Sequence, residues 1–528
     1  MKKNTGALIF FGIIVLFLVF FGVEFFEGIW SFPSFSLVPF IIVALLGTGI
    51  FTTIYLGFPQ IRYLKHGIRV TRGLYDNPDE AGDLNHFQAL TTALSATVGI
   101  GNIAGVATAI YYGGPGALFW MWITAFFGSA LKFAECTLAV EYRDFNSQGM
   151  TAGGPMYTIE KGLGIKWRWL AIMFACFAVI CSFATGNAIQ SFTLSDQLLS
   201  EVTQIVGADH WLTIKHQLTD WYSVSIQQVI NGIVIAFISG LVIIGGIKRI
   251  GNVTSKLAPF MAALYVLAAL LILFANIGDI PASFGKIFTM AFNPPAAIGG
   301  IAGGTLLVIM NTMLWGVKRG LYSNEAGQGS APIAHSTAKT EFPVREGAVA
   351  LLEPFIDTII ICTLTGLTII VTGAWMHTEF FVNITATTAE AARQALETGV
   401  FQGRELINGS LLTSLAFKTG LAYIFPYGDK IITLGVLLFA ISTVISWSFY
   451  GDRSTEYLFG EGAIPIYRGF YILFVFIGAI ASLEVIWSFG DAALGFMTFP
   501  NLLSIILLSG VLKKMTKDYF AVDHPTYK

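Results

Sequence analysis

The stretch Thr97–Gly105 (TVGIGNIAG) places three glycines and one asparagine in the middle of an apolar segment at about 87–112. Glycine weakens a helix, and in hydrocarbon every N–H and C=O freed by a break must find a partner. A break here would therefore aim backbone dipoles at protein, water, or a bound solute or ion, as in the broken helices of secondary transporters. The alternative is an unbroken helix in which Gly101 and Gly105 form a small-residue packing face. Asn102 favours the break, because a polar amide at mid-membrane depth needs a function.

A second candidate for an interrupted helix is Asn311–Gly316 (NTMLWG), in the second half of the chain. Pro294-Pro295 precede it, and glycines at positions 299, 300, 303 and 304 lie along one side. Glycine-interrupted spans at corresponding positions of two halves are the expected sign of a transport site. We therefore predict that the two stretches meet.

The composition indicates the class of protein to which these stretches belong. The 528 residues are 55% hydrophobic and 12% charged, and the mean hydropathy is +0.71. Long apolar runs without alternation predict a helical integral membrane protein and exclude an outer-membrane-type barrel. The four cysteines lie in apolar segments without metal-ligand spacing, and no nucleotide-binding loop ending in Lys-Ser/Thr is present. An ATP-driven pump is therefore unsupported.

The apolar runs predict twelve membrane spans. They lie at about 6–23, 38–58, 87–112 and 117–140, and then around Phe177, Ile235, Leu267, Leu307, Ile361, Phe439, Phe474 and Leu503. The first follows Lys2 and Lys3 and has no small-residue cleavage site, so we interpret it as a signal anchor. Two long loops, about Thr193–Tyr222 and Trp375–Asp429, are expected to be part helical and part extended.

The basic residues test this count through the positive-inside rule. With the N-terminus in the cytoplasm, the inner segments collect 23 of the 30 Lys and Arg residues. Both termini are then predicted to be cytoplasmic in a multi-pass plasma (inner) membrane protein.

Ten of the spans can be divided into two sets of five with opposite orientation. The predicted organisation is an N-terminal anchor helix (1–30), an additional helix with a basic segment (31–85), a first repeat (86–280), a second repeat (281–515) that includes the long loop 375–429, and a tail (516–528). Each repeat would begin with its interrupted helix.

Three stretches resemble the sodium:alanine symporter family, also called alanine or glycine:cation symporters. They are Thr97–Ala107 (TVGIGNIAGVA), Gly113–Gly128 (GGPGALFWMWITAFFG) and Gly316–Ser336 (GVKRGLYSNEAGQGSAPIAHS). The second is similar to the family signature over its whole length, and the third has a composition that packing alone would not select. The likeness runs from about Val38 to the C-terminus, with the first span and the loop around Thr378–Ser410 as additions.

The resemblance implies an all-α amino-acid transporter fold of two inverted five-helix repeats with two discontinuous helices, preceded here by two N-terminal spans. It also implies sodium-coupled uptake of alanine or glycine by alternating access across a bacterial or archaeal plasma membrane. The partners would be a small neutral amino acid, Na⁺ as the co-transported ion, and the lipid bilayer. Nucleic acid is not expected and an oligomer is not required.

A zwitterionic amino acid needs two opposite partners at the midplane. N–H groups freed at Gly99, Gly101 and Asn102 would meet its carboxylate, helped by the helix dipole. Loose carbonyls from Thr312 to Gly316 would meet its ammonium group. No charged side chain is expected at those depths, which favours a neutral zwitterion over a charged substrate.

Sodium prefers hard oxygen ligands. Carbonyls of Ala96 and Gly99 and the hydroxyls of Ser442 and Thr443 are the predicted set. The alternative for the two hydroxyls is a hydrogen bond to their own helix. A proton in place of sodium would need a titratable carboxylate near the site, and the sequence offers no clear candidate.

Three further side chains are assigned to the pocket wall. Gln190 is expected to line it, with an interhelical hydrogen bond as the equal alternative. Trp447 lies one helical turn beyond Thr443 and shares its face. Trp447 and Trp315 would leave room only for a hydrogen or methyl side chain, unless they are interfacial belt residues.

The remaining polar residues are interpreted as structural or gating groups. Asn324 and Glu325 belong to the third stretch, and Glu325 is expected to pair with Lys318 or Arg319. Lys132 and Glu135, spaced i, i+3, should neutralise each other. We interpret Glu353 and Asp357 as ion-pair or gate residues and assign His335 no metal or catalytic role.

Two other functions remain open from sequence. One is a proton-coupled carrier of another small neutral amino acid. The other is a non-transporting membrane protein, either a channel or an intramembrane enzyme. The enzyme requires a midplane cluster of catalytic or metal-binding residues, whereas the seven histidines fall mostly at span ends, loops or termini.

Overall fold

The computed structural model describes residues 6, 10, 34–35, 38–219, 222–295, 304–481 and 483–527. Most of the predicted first span (6–23) therefore lies outside the described residues, as do three of the four glycines at 299–304.

The part of the chain that the structure describes is mostly helical. Up to residue 275, the helices and helical turns are Phe40–Tyr55, Pro59–Arg62, Leu64–Thr71, His86–Thr97, Ile100–Asn102, Ala104–Gly113, Ala117–Glu141, Pro155–Tyr157, Thr158–Leu163, Ile165–Trp167, Arg168–Phe183, Ala184–Ala188, Ile189–Val206, Ile226–Ile243 and Gly246–Ala275. After residue 275 they are Ile277–Asp279, Ile280–Phe292, Gly304–Asn324, Ala331–His335, Pro343–Ala350, Leu352–Pro354, Phe355–Cys362, Thr363–Val371, Ala374–His377, Glu379–Thr385, Ala389–Thr398, Ser410–Leu421, Gly428–Phe459, Glu461–Ala463, Ile464–Ile480, Leu483–Leu507 and Ser509–Phe520.

The strands form only small antiparallel hairpins. In the described part of the chain these pair Ser34–Phe35 with Val38–Pro39, Asp144–Phe145 with Thr151–Ala152, Lys215–Thr219 with Tyr222–Ser225, and Val400–Phe401 with Arg404–Glu405. Both long loops thus combine helix and hairpin, as predicted.

Nine of the predicted spans are long and apolar enough to cross a membrane when each bent helix pair counts as one span, within the residues that the structure covers. The predicted second span is a shorter apolar helix, Phe40–Tyr55. The span around Leu307 is Gly304–Asn324, a helix of 21 residues.

The helix at 86–113 is broken where the sequence predicts. Its first half-helix, His86–Thr97, and the segment Ile100–Gly113 meet at an angle of 59°. Asn85 and Gln88 form a capping box at the start, and Gly114, with φ of 72°, follows the end of the second half-helix, Ala104–Gly113. Residues 98–103 are called the first break.

The second discontinuity is not at Asn311–Gly316, which lies inside the continuous helix Gly304–Asn324. It comes directly after that helix, at residues 325–330, called the second break, where Glu325, Gly327 and Gly329 all have positive φ (51°, 78° and 85°). The prediction failed because glycine serves two purposes in a membrane helix, breaking it or packing it closely.

Gly316 illustrates the packing role. A Cβ at Gly316 would lie 2.4 Å from the carbonyl oxygen of Ala117, and one at Gly320 would lie 2.2 Å from Thr124 Oγ1. The small-residue face considered for the first helix is therefore found on this helix, against Ala117–Glu141.

A chain of buried charged groups joins the helices beside the second break. Lys132 Nζ donates to Glu353 Oε2 at 3.2 Å, and Glu353 Oε1 lies 2.6 Å from His335 Nε2. His335 Nδ1 lies 2.5 Å from Glu346, which also bonds His86 on the first half-helix. All five side chains are at most 1% exposed. This set is called the charge chain.

Glu135 makes its hydrogen bonds with groups other than Lys132. It accepts hydrogen bonds from the backbone N–H groups of Gly327 (3.4 Å) and Gly329 (3.2 Å) and from Asn501 Nδ2 (2.6 Å). The i, i+3 spacing indicates that Lys132 and Glu135 are neighbours, but contacts with other helices determine the hydrogen-bond partners of each.

We predict that Lys132→Met lowers the free energy of unfolding by about 3–5 kcal/mol, because it leaves the Glu353 carboxylate buried without its cation. The matched control is Lys161→Met. Lys161 pairs with Asp144 at 2.9 Å, but its side chain is 40% exposed, and loss of such a pair costs about 0–1 kcal/mol. Thermal unfolding in detergent measures both, and equal losses would contradict the prediction.

Candidate site at the two helix breaks

The first break lies against the end of the helix that precedes the second break. A Cβ at Gly101 would be 3.2 Å from the ring of Tyr322 and 3.5 Å from the Cα of Ser323. The backbone at Gly101 therefore packs on the end of the helix Gly304–Asn324, next to the second break. The sequence predicted a meeting of two interrupted helices, and the first break contacts Tyr322 and Ser323 in place of 311–316.

Asn102 holds the first break in shape. Its Oδ1 accepts a hydrogen bond from the Gly99 N–H at 3.0 Å. Its Nδ2 lies 2.5 Å from Asp357 Oδ1 and 3.2 Å from Ser323 Oγ. The side chain is 0% exposed. The amide predicted to contact a solute thus connects the first break to two other helices.

Hydroxyl groups satisfy the carbonyls that the first break sets free. Thr365 Oγ1 donates to Asn102 O at 2.8 Å, and Thr413 Oγ1 donates to Ile103 O at 3.0 Å. This is how a membrane protein removes the cost of unpaired backbone in a dry environment.

The two hydroxyls among the predicted sodium ligands lie against the end of the first half-helix. Thr443 Oγ1 and Ser442 Oγ donate to Ser95 O at 3.1 and 3.4 Å. A Cβ at Gly99 would lie 2.6 Å from Thr443 Oγ1, so the Gly99 backbone faces this hydroxyl, and Ala96 adjoins Ser95 in the chain. Ser442 also donates to Phe439 O of its own helix at 2.9 Å, so the alternative role is present as well. Both hydroxyls belong to Gly428–Phe459, called the facing helix.

Gln190 reaches the first break from a third helix. Its Oε1 accepts from the Ile100 N–H at 3.3 Å, and its Nε2 donates to Thr185 O at 3.3 Å. The helix widens to π geometry at Ala184–Ala188, just before Gln190, a distortion that is frequent at functional sites. The interhelical hydrogen bond considered as the alternative is found, and its partner is the first break itself.

Trp447, on the facing helix, contacts Glu325 of the second break. Trp447 Nε1 donates to Glu325 Oε1 at 3.2 Å, and Ser330 Oγ donates to Glu325 Oε2 at 2.5 Å. The Trp447 ring also occupies the space beside Gly186, where a Cβ would lie 2.2 Å from Trp447 Cγ. Trp447 therefore bounds the site towards the second break.

The hydrogen bonds of Glu325 differ from its predicted pairing. The cationic groups of Lys318 and Arg319 each lie 5.5 Å from the Trp315 ring centre, while Glu325 bonds Trp447 and Ser330. Asn324, the other predicted gating residue, caps the second break by accepting from Ala326 N–H at 3.1 Å and donates to Thr358 Oγ1 at 3.3 Å.

Thr312, Trp315 and Gly316 lie away from the first break, contrary to prediction. The Trp315 ring stacks on Tyr112 with centroids 4.3 Å apart. A Cβ at Gly113 would be 3.1 Å from Trp315 Cβ and 3.3 Å from Thr312 Cα. Gly113 ends the second half-helix, roughly 15 Å from its start, so these residues flank its far end.

Sequence reasoning missed several contributors, chiefly Asp357, Tyr322, Ser323, Thr365 and Thr413. From sequence, Asp357 is interpreted only as an ion-pair or gate residue, and no carboxylate is expected near the site. In the structure, its carboxylate accepts a hydrogen bond from the side-chain amide of Asn102. The available signal was a carboxylate inside an apolar segment, but the fold was needed to bring together residues separated by 255 positions.

Comparison with known proteins identifies the family and the fold of the chain. The family model described as "Sodium:alanine symporter family" matches residues 23–526, more than the stretch from Val38 expected from the motifs. The chain is 41% identical over 489 residues to the "Sodium/alanine symporter AgcS" of Methanococcus maripaludis, covering 92% of this chain and 95% of that protein. It is 34% identical to the "Putative sodium/proton-dependent alanine carrier protein YrbD" of Bacillus subtilis, covering 93% and 90%.

Among solved structures, the crystal structure of MhsT in complex with L-phenylalanine is similar, with a TM-score of 0.55 and 12% identity over 83% of this chain and 93% of that chain. This likeness shows the fold, the discontinuous-helix amino-acid transporter architecture with two inverted five-helix repeats. With a family match across nearly the whole length and a relative above 40% identity, the chain belongs to the sodium:alanine symporter family.

Proposed function

We propose that the protein is a sodium-coupled symporter that takes up alanine or glycine by alternating access. Membership of the family establishes a cation-coupled amino-acid symporter, not an enzyme or a channel. The observation that carries the finer proposal is the pair of hydroxyls, Ser442 and Thr443, that both donate to the Ser95 carbonyl just before the first break, with Thr443 also beside Gly99. Hydroxyl and carbonyl oxygens without a neighbouring cation are hard ligands suited to Na⁺.

The substrate carboxylate would bind at the start of the second half-helix. The Ile100 N–H is held by Gln190 Oε1 through a long bond of 3.3 Å, which a carboxylate can replace at low cost. Free N–H groups and the helix dipole both favour an anion there. Gln190 would then turn its amide N–H towards the substrate.

The ammonium group would bind at the end of the helix Gly304–Asn324, near Tyr322 and Ser323. The last carbonyls of a helix lack intrahelical partners, and this helix ends against Gly101. These carbonyls take the place of those predicted from Thr312 to Gly316. Tyr322 and Trp447 close the site on two sides, which supports a substrate with a hydrogen or methyl side chain.

The coupling supplies enough energy for accumulation. One charge that crosses ~100 mV releases about 2.3 kcal/mol, which supports roughly 50-fold accumulation per sodium ion. A sodium gradient adds to this value.

We place the protein in the plasma membrane of a bacterium or archaeon with both termini cytoplasmic, on the distribution of Lys and Arg.

Proton coupling is the second candidate, because Asp357 puts a buried carboxylate next to Asn102.

Uptake of labelled alanine into proteoliposomes distinguishes sodium coupling from proton coupling. We expect accumulation driven by an inward sodium gradient and not by potassium with an inward proton gradient. Uptake that follows the pH gradient and does not depend on sodium would show that the coupling ion is a proton. No uptake of any small neutral amino acid by folded protein would refute the substrate.

We predict that Gly99→Ala weakens alanine binding. The added Cβ would lie 2.6 Å from Thr443 Oγ1 and 3.2 Å from Gln190 Oε1. Overpacking costs about 1–3 kcal/mol, which corresponds to a roughly 5- to 150-fold loss of affinity. Gly105→Ala is the control, since the nearest atom, Arg319 Cδ, would be 4.0 Å away. Equal affinities in the two variants would contradict the proposed position of the substrate.

We predict that Thr443→Val raises the sodium concentration for half-maximal uptake by at least about tenfold, because one oxygen ligand to a charged ion is lost. Thr443→Ser keeps the hydroxyl and should stay near the wild-type value. An unchanged sodium dependence in Thr443→Val would show that this hydroxyl is not a ligand.

A further inference from the structure

An apolar groove runs along the first half-helix. It encloses about 420 Å³, and its walls come from four segments, namely the helix Leu64–Thr71 with its C-cap, the first half-helix, the helix Gly246–Ala275 and residues 352–356. Two of its lining side chains, Phe87 and Phe355, are 41% and 38% exposed. The groove is therefore open to the outside of the protein, which is lipid for a helix inside the membrane.

The lining favours an apolar occupant. Among the residues that the structure describes, its polar members are Thr71, Arg72 and Thr91. Thr71 Oγ1 donates to Gly67 O at 2.9 Å, and Thr91 Oγ1 donates to Phe87 O at 2.8 Å. Because both hydroxyls bond within their own helices, water in the groove would gain few hydrogen-bond partners. A hydrocarbon chain, in contrast, gains dispersion contacts with every wall.

The groove is as long as one leaflet of a bilayer is thick. Phe87, Leu90, Leu94 and Val98 line it in turn, from the start of the first half-helix to the first break. The eleven steps from Phe87 to Val98 rise about 16 Å. Half of a hydrocarbon core of about 30 Å is about 15 Å. A lipid chain that enters beside Phe87 would therefore end near Val98, at the middle of the membrane.

Cationic side chains lie at one end of the groove. Arg72 is one of its lining residues. Lys65 and Arg69 precede Arg72 by seven and three residues, a spacing that puts all three on one helix face. All three side chains are exposed. Basic residues at a membrane surface attract anionic lipid headgroups, so this end of the groove fits a negatively charged headgroup.

The helix Gly246–Ala275 adds a cation at the same end. Gln88 Nε2 donates to Asn252 Oδ1 at 3.3 Å, which places Asn252 level with the start of the first half-helix. Lys256 is exposed one turn further along, and its long side chain can extend back to the headgroup level. Two walls of the groove thus carry positive charge where a lipid headgroup would lie.

We propose that the groove binds one hydrocarbon chain of an anionic phospholipid, with its headgroup on Lys65, Arg69 and Arg72, and that this lipid supports the first half-helix. The first half-helix lines the groove from end to end, so its movement into the groove requires the chain to leave. The lipid composition of the membrane would therefore control how readily the first half-helix, and with it the first break, can move. The inference does not depend on which ion or substrate the protein carries.

The headgroup is tested by native mass spectrometry of the full-length protein in detergent, titrated with phosphatidylglycerol or phosphatidylcholine. We expect one tightly bound phosphatidylglycerol, with a Kd at least about fivefold below that of phosphatidylcholine. The double variant Arg69→Gln/Arg72→Gln should raise this Kd roughly 25-fold, at about fivefold for each cation. Lys517→Gln is the control, because it removes an exposed cation from the tail helix Ser509–Phe520 and should leave the Kd unchanged.

The chain is tested by filling the groove. Ala262 lines the groove, whereas its neighbour Ala263 is exposed outside the lining. Ala262→Phe should raise the Kd of both lipids by about tenfold or more, since displacing two methylene groups from apolar contact already has that effect. Ala263→Phe should leave both values unchanged. Glycerol 1-phosphate, which has a phosphate but no chain, should not compete with phosphatidylglycerol.

Support of the first half-helix is tested by hydrogen exchange. Phosphatidylglycerol should slow the exchange of amides 88–97 by about fivefold or more in wild type, and not in Arg69→Gln/Arg72→Gln. Bound lipid without slower exchange would refute this support.

The binding outcomes are independent of transport. Equal affinity for the two lipids, equal losses in Arg69→Gln/Arg72→Gln and Lys517→Gln, competition by glycerol 1-phosphate, or an unchanged Kd in Ala262→Phe would each refute the lipid site. Failure of wild type to take up alanine would refute the proposed function and leave the lipid site standing.

Discussion

The satisfaction of the backbone at the first break is the constraint on which the rest of the structure depends. Breaking a helix in the middle of a membrane frees N–H and C=O groups that lipid cannot hydrate. The protein supplies replacements from four other helices, namely an amide from Gln190 and hydroxyls from Thr365, Thr413 and Thr443. Each replacement fixes the position of one helix, so the arrangement of the core follows from the need to pair one short stretch of chain.

The charge chain plays the corresponding role at the second break. His86 begins the first half-helix, and its bond to Glu346 connects that half-helix to His335, which follows the second break within the next short helix. Glu135 meanwhile holds the N–H groups of Gly327 and Gly329. Buried charges of this kind are costly when unpaired, and so they specify one arrangement of the two breaks.

Much of the fold could be predicted from sequence, because hydropathy and glycine content act locally. The break at Gly99–Gly101 was predictable, since a glycine-rich run followed by Asn102 both weakens the helix and brings a polar amide to mid-membrane depth. The second break was misplaced, because Gly316 and Gly320 are used for packing on Ala117–Glu141 and glycine alone does not distinguish the two uses. The partners of Glu325, Glu135 and Asp357 could not be predicted, since each includes a residue on another helix far away in sequence.

The uninterrupted helix Gly304–Asn324 has a mechanical consequence. Its 21 residues form a rod of roughly 30 Å, the thickness of the bilayer core. Trp315 and Thr312 lie against the end of the second half-helix, while Tyr322 and Ser323 lie against Gly101. These two sets of contacts lie about 11 residues, or roughly 16 Å, apart along the helix, so a tilt of about 10° would shift one relative to the other by roughly 3 Å. A rearrangement at the first break can thus be transmitted to the far end of the second half-helix by a helix that does not itself bend.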